Sequence, residues 1–166
     1  MTDIQKNTAK TLEQVADIVA QLKPEQYGQA LACLQENSLG RHVRHIIEFF
    51  ECLVENPDSG EVNYDLRQRK LRLETEPPHS LEAIRILMEK LPDLKDGPMT
   101  MKADFGSGIQ TFQSSMFREL AFTMDHCIHH LALIRIGISE HFPDVNLDNR
   151  IGVAYSTLQY QKENPS

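Results

Sequence analysis

Residues 115–140, S-M-F-R-E-L-A-F-T-M-D-H-C-I-H-H-L-A-L-I-R-I-G-I-S-E, constrain this chain more than any other stretch. The segment holds no proline and is apolar on nearly every side of a 3.6-residue helix. It therefore reads as the longest and most buried helix, the one around which the rest must pack. Its most polar side carries Asp125, Arg135 and Ser139. Its middle carries three histidines.

Three further segments show the helical period. The first runs from about Asp3 or Thr8 to Leu22, with Leu12, Val15, Ala16, Val19 and Leu22 at spacings of three and four, and Pro24 ends it. Residues 25–36 add a turn or two. The second runs from Leu39 to Asn56 behind Ser38, whose hydroxyl suits an N-cap. Leu39, Val43, Ile46, Ile47, Phe50, Leu53 and Val54 form its apolar stripe, and Arg44, Glu48, Glu51 and Glu55 its solvent face. The third runs from Ser80, read as an N-cap, to Leu91. Between the second and third, residues 58–78 alternate weakly (Tyr64, Leu66; Leu71, Leu73), which predicts extended chain or a short strand stopped by Pro77 and Pro78. Pro92, Gly97 and Pro98 open a loop continuing to about Thr111, and the tail holds a short helix from about Ser156. The predicted architecture is a single all-α domain over 1–166. It is an up-down four-helix bundle with long ordered connections and a short C-terminal helix.

Charge and cysteines narrow the function classes. Lys plus Arg number 17 and Asp plus Glu 24, a net charge of −7, which argues against a partner held through nucleic-acid phosphates. No apolar run approaches the roughly 20 residues that span a bilayer, so no membrane partner is expected. The opening M-T-D-I-Q-K-N-T-A-K lacks the apolar segment of a signal peptide. Cys33, Cys52 and Cys127 are odd in number and dispersed, as in a reduced, cytoplasmic protein. Phosphate-loop, dinucleotide, nucleophile-elbow and H-E-x-x-H motifs are all missing. The one E-x-x-H, Glu76 to His79, is interrupted by two prolines, which weakens a di-iron reading.

The histidines carry the chemistry. Five of the seven fall in 42–45 and 126–130. His126 and His130 are four apart on one stripe of the long helix, almost opposite its polar side, a spacing that lets two imidazoles reach one metal ion. His129 lies nearer the wet side. On the second helix the period leaves two candidates open: His42 falls inside the apolar arc, and His45 lies on its border, as a cleft-lining ligand would. Cys52 shares the stripe of His45 but sits about 10.5 Å further along the axis, too far for the same ion. Glu119 shares the stripe of His126, two turns earlier, and is a candidate general base or outer group.

S-L-G-R-H-V-R-H-I-I-E-F-F at 38–50 and D-H-C-I-H-H-L-A-L-I-R-I at 125–136 resemble the DinB-like (YfiT-like) superfamily of metal-dependent enzymes. N-Y-D-L-R-Q-R-K-L-R-L-E-T at 63–75 and I-G-V-A-Y-S-T-L-Q-Y at 151–160 resemble one branch of it. The resemblance implies a four-helix bundle and a metal held by His45, His126 and His130, and so favours His45 over His42. It implies a divalent cation, with Zn²⁺ the first expectation and Ni²⁺ or Fe²⁺ the alternatives. It also implies use of a low-molecular-weight thiol, since relatives include transferases and isomerases that use bacillithiol or mycothiol. Leu131, Ala132 and Leu133 follow the last ligand where many relatives carry Arg-Gly-Gln, which sets this chain apart from them.

Two function classes follow. The first is a metal-dependent hydrolase or thiol transferase acting on a small molecule. In it, Tyr64, Arg67 and Arg69 reach the cleft mouth and an arginine clamps a carboxylate. The second is a non-catalytic helical protein that binds a ligand or dimerises, with structural or vestigial histidines. A homodimer is compatible with the size and helical surface.

Overall fold

The computed structural model describes residues 1–55 and 59–164. Among the described residues there are seven α-helices: α1 (Asp3–Gln21), α2 (Pro24–Gly28), α3 (Leu39–Val54), α4 (Leu71–Thr75), α5 (Pro77–Lys90), α6 (Met116–His141) and α7 (Tyr155–Glu163). Three strands accompany them: β1 (Glu61–Val62), β2 (Pro98–Asp104) and β3 (Ile109–Ser115). The four long helices α1, α3, α5 and α6 share a core, with α1 and α3 each lying against both α5 and α6. Leu12, Val15, Leu39, Val43, Ile47, Phe50, Leu53, Leu120, Leu131 and Ile134 are all fully buried there.

The expected all-α bundle is overturned by the sheet, which runs in the order β1-β2-β3. β1 pairs in parallel with β2, Val62 opposite Met101. β2 pairs antiparallel with β3, from Pro98 opposite Ser115 to Asp104 opposite Ile109. The stretch expected as a loop from Pro92 to Thr111 is thus largely a hairpin. Pro98 is the first residue of its strand, where a missing N–H is tolerated. At the turn, Asp104 Oδ1 accepts from the backbone N–H of Gly106 (2.7 Å) and Gly108 (3.1 Å). Both glycines have positive φ, +92° and +101°, the left-handed region that side chains disfavour.

Two other expectations shift. Within 59–78 the strand is confined to Glu61–Val62, while Tyr64–Leu66 form a 3-10 turn and Leu71–Thr75 a short helix. Pro77 and Pro78 open α5 instead of stopping the chain before it, because a first helical turn needs no donor there. Ser80, expected as an N-cap, is buried inside α5 and donates to Leu73 O, with Tyr27 Oη 2.9 Å away.

Ser38 caps α3 as expected, and Ser115 caps α6 in the same way. Ser38 Oγ accepts from Arg41 N (3.0 Å) and Ser115 Oγ from Arg118 N (3.3 Å). The first of them starts α3 where its backbone meets α4. A Cβ on Gly40 would come within 2.1 Å of Glu74 O and 2.7 Å of Tyr27 Cε1, so only glycine fits. The predicted end of this helix at Asn56 lies outside the described residues. No helix of the described residues is long and apolar enough to cross a membrane.

Candidate metal centre

α3 and α6 pack side by side and bring four imidazoles into one chain of contacts. His45 Nε2 lies 2.9 Å from His126 Nε2, and His130 Nε2 lies 3.2 Å from the same atom. The ligand nitrogens of His45, His126 and His130 all lie within 4.8 Å of one another. Zn–N bonds of about 2.0–2.1 Å at tetrahedral angles place neighbouring nitrogens about 3.3 Å apart, so the spacing suits one ion. A protonic arrangement suits it less well. Nε2 of a neutral imidazole has a single lone pair or a single hydrogen, and two nitrogens converge on Nε2 of His126. A cation between the three satisfies every lone pair.

The site keeps its histidines in the form a metal needs. His45 is pushed down to about 3 by burial, then by the charge of Arg67 and the neighbouring imidazoles. His130 is pushed down to about 3 by burial and the other histidines. His126 is lowered by burial, then by His129 and Arg67. All three are thus neutral at physiological pH and ready to ligate.

His42 takes the position behind His130. Its Nδ1 lies 2.9 Å from His130 Nδ1, on the ring edge away from His126. His42 Nε2 is buried and has no hydrogen-bond partner among the described residues. His129 is exposed, as its place on the wet side of the helix implied.

Two members of the aromatic wall of the centre, Phe49 and Phe122, were not singled out in the sequence as site residues. Phe49 of α3 stacks on His126 at 4.4 Å between centroids and on Tyr64 at 4.9 Å with the rings 8° from parallel. Phe122, 39% exposed, stands at the rim against His126 and Tyr64. A phenylalanine one turn after His45 was the available signal, but it reads equally as core.

Of the residues proposed for the cleft mouth, Tyr64 and Arg67 are brought to the centre. Arg67 lies over the Phe49 ring at 5.4 Å and donates to Tyr64 O (3.0 Å). Its Nε lies 3.7 Å from Glu48. Glu48, expected on the solvent face of α3, is 1% exposed because residues 64–75 cover that face. It accepts the Lys70 backbone N–H at 2.7 Å, and Arg44 lies 3.6 Å away. Burial raises its pKa despite these partners. Arg69 is exposed and makes no hydrogen bond, ion pair or ring contact among the described residues.

Glu119 is fully buried and held by three donors. Tyr64 Oη donates to its Oε2 (2.8 Å), while Ser114 Oγ and Arg118 Nη1 (2.7 Å) donate to its Oε1. Burial and the Glu119 charge push the Tyr64 phenol well above its ordinary range, so it stays a donor. The carboxylate therefore reaches His126 indirectly, through Tyr64 and Phe49, and ties the end of β3 to the aromatic wall.

Comparison with protein-family models, curated proteins and solved structures returns no match to this chain.

Proposed function

We propose that the chain is a metal-dependent enzyme of the DinB-like kind, with one divalent cation held by His45, His126 and His130. The observation that carries this reading is the convergence of three neutral Nε2 atoms on one point between α3 and α6. Three imidazoles leave a position open, the pattern of a catalytic rather than a closed structural site. A bound Zn²⁺, Ni²⁺ or Fe²⁺ supplies Lewis-acid polarisation and lowers the pKa of a thiol or water bound to it.

The chain's own residues supply the rest. Phe49, Tyr64 and Phe122 wall the centre with ring carbon and keep bulk water from that side. Arg67, fixed by Glu48 and the Tyr64 carbonyl, presents a cation beside His45 and His126. We assign it to an anionic group of the substrate, such as the carboxylate of a low-molecular-weight thiol. Glu119 serves as a positioning residue through Tyr64 and Phe49, since its oxygens already receive three donors. The reaction class is transfer of a small thiol to an electrophile, or hydrolysis, in the cytoplasm.

Metal analysis of protein purified without a histidine tag tests this reading. We expect about one equivalent of Zn, Ni or Fe at the centre, lost from both His45→Ala and His126→Ala. Metal-loaded protein should then conjugate a small thiol to an electrophile. Protein that binds no metal at these residues, with stability unchanged by Zn²⁺, overturns the proposal. Metal binding without turnover across a broad thiol panel would leave a binding protein.

A further inference from the structure

The C-terminal end of α6 carries ligand-type side chains that the three-histidine centre does not use. Cys33, Glu140 and His141 each offer one ligand atom, and these atoms all lie within 4.8 Å of one another. We propose that Cys33, Glu140 and His141 form a second metal site, of the zinc class, which clips the loop ahead of α3 to the end of α6. It goes beyond the function proposed above and does not depend on it.

The turn that carries Cys33 is packed against the end of α6 that carries the other two donors. His141 Nε2 lies 3.6 Å from Glu140 Oε1, and the Cys33 sulfur lies within 4.8 Å of both side chains' ligand atoms. Cys33 sits in a 3-10 turn (Ala32–Leu34) flanked by Leu31 and Leu34, both buried. A Cβ on Gly137, one turn before Glu140, would meet Leu34 Cδ1 at 3.0 Å and Leu31 Cδ1 and Leu39 Cδ2 at 3.1 Å. The loop is therefore pressed against this turn of α6. It is also closed on itself: Leu31 N donates to Asn37 O (3.2 Å) and Glu36 N to Leu31 O (3.0 Å). Gln35 and Glu36, at φ +53° and +61°, make the reversal. Core packing of Leu31 and Leu34 thus fixes the turn that carries Cys33.

The chemistry suits Zn²⁺. Thiolate, imidazole and carboxylate are its ordinary ligand types, and soft sulfur disfavours Mg²⁺ and Ca²⁺. One thiolate and one carboxylate balance a dication, so binding leaves no net charge in this partly buried corner. His141 follows His130 by eleven residues, about 16 Å along a helix axis, so the two centres cannot share an ion. Three ligands leave one position for water.

Co²⁺ titration of untagged His45→Ala/His126→Ala protein tests the site. We expect one Co²⁺ per chain with near-ultraviolet absorption from a cobalt–thiolate bond. Adding Cys33→Ser should abolish that band and weaken binding by more than the roughly 10–100-fold that an outer-shell partner costs. Absence of the band, or its survival in the Cys33→Ser variant, overturns the proposal. Alkylation of the wild-type protein gives a readout that does not depend on that variant's folding. Zn²⁺ should slow modification of Cys33, and His141→Ala should remove the protection. Equal rates with and without Zn²⁺ overturn the site. Wild-type protein with one metal equivalent, all of it lost with His45 and His126, would sink this site and leave the three-histidine centre standing.

Discussion

The proton on His130 decides whether three histidines can face one ion. If Nε2 is to be a bare ligand, the ring hydrogen must sit on Nδ1, and His42 Nδ1 at 2.9 Å is there to accept it. The His42 hydrogen then lies on Nε2, which is buried and unpartnered, at a cost of about 1–3 kcal/mol. Removing that acceptor should loosen metal more than it loosens the fold. His42→Ala is expected to weaken Zn²⁺ binding by about 10–100-fold, as other outer-shell partners of metal histidines do. Competition titration against a chelator measures it, and affinity equal to wild type would show that His42 only packs. The same burial predicts how metal-free protein responds to acid. His45 and His130 titrate near 3, and His42 and His126 are lowered from 6.5, chiefly by burial in each case. Between about pH 6.5 and 3 the unfolded chain therefore binds protons that the folded one does not. Stability rises with pH across that window and is lost as pH falls. Glu48, raised by burial, acts in the opposite direction, one group against four. Denaturant midpoints in chelator should fall steadily from about pH 7 to pH 5, and a flat profile would contradict the histidine burial.

At the scale of elements, the hairpin's role is to hold the site's wall from one side. Asp65 accepts the Asp104 N–H (3.0 Å), and Ser114 meets Glu119, so β2 and β3 grip the Tyr64–Leu66 turn at both ends. Tyr64→Phe keeps the ring stacked on Phe49 but removes one donor from a fully buried carboxylate. A hydrogen bond to a charged group of this kind contributes about 1.5–3 kcal/mol, which is the expected loss of unfolding free energy. Metal stoichiometry should not change. Unaltered stability would mean that Glu119 does not depend on Tyr64. None of this coupling was legible in the chain. β3, I-Q-T-F-Q-S-S, is exposed along residues 109–113, so it buries no face and shows no useful alternation. The helices were legible because α1, α3 and α6 each bury a continuous stripe, and α3 begins at Ser38, the cap its sequence suggested. The His126/His130 pair was readable from its spacing alone. The choice between His42 and His45 was not, since His42 falls inside the apolar arc of α3 and His45 on its border, and either position suits a half-buried imidazole. Packing separates them by giving one the ligand edge of His126 and the other the rear edge of His130.

Across the whole molecule, stability is concentrated in the four long helices and falls off toward the C-terminus. Among the described residues α7 has no buried residue, and Tyr155 ties it to α1 by donating to Asn7 O (3.2 Å) and lying 3.5 Å from Thr11 Oγ1. A cleft of about 1060 Å³ lies between α1 and the segment 146–162, so this end covers α1 without close packing. A nine-residue helix is too short to persist by its own hydrogen bonds. The segment just before it is different: Ile151 is 5% exposed, and Arg135 Nη1 donates to Asn149 O (2.9 Å). The boundary between cooperative core and local opening therefore falls near Val153. Hydrogen exchange should be fastest in 155–163 and slow in α3 and α6. A chain ending at Val153 should lose under about 1 kcal/mol, a Tm decrease of less than about 4 °C for a protein of this size. It should also retain metal at His45, His126 and His130, because α7 contributes no ligand to that group. A cooperative loss of the entire fold on truncation would place α7 inside the core unit, against the burial that the structure assigns it.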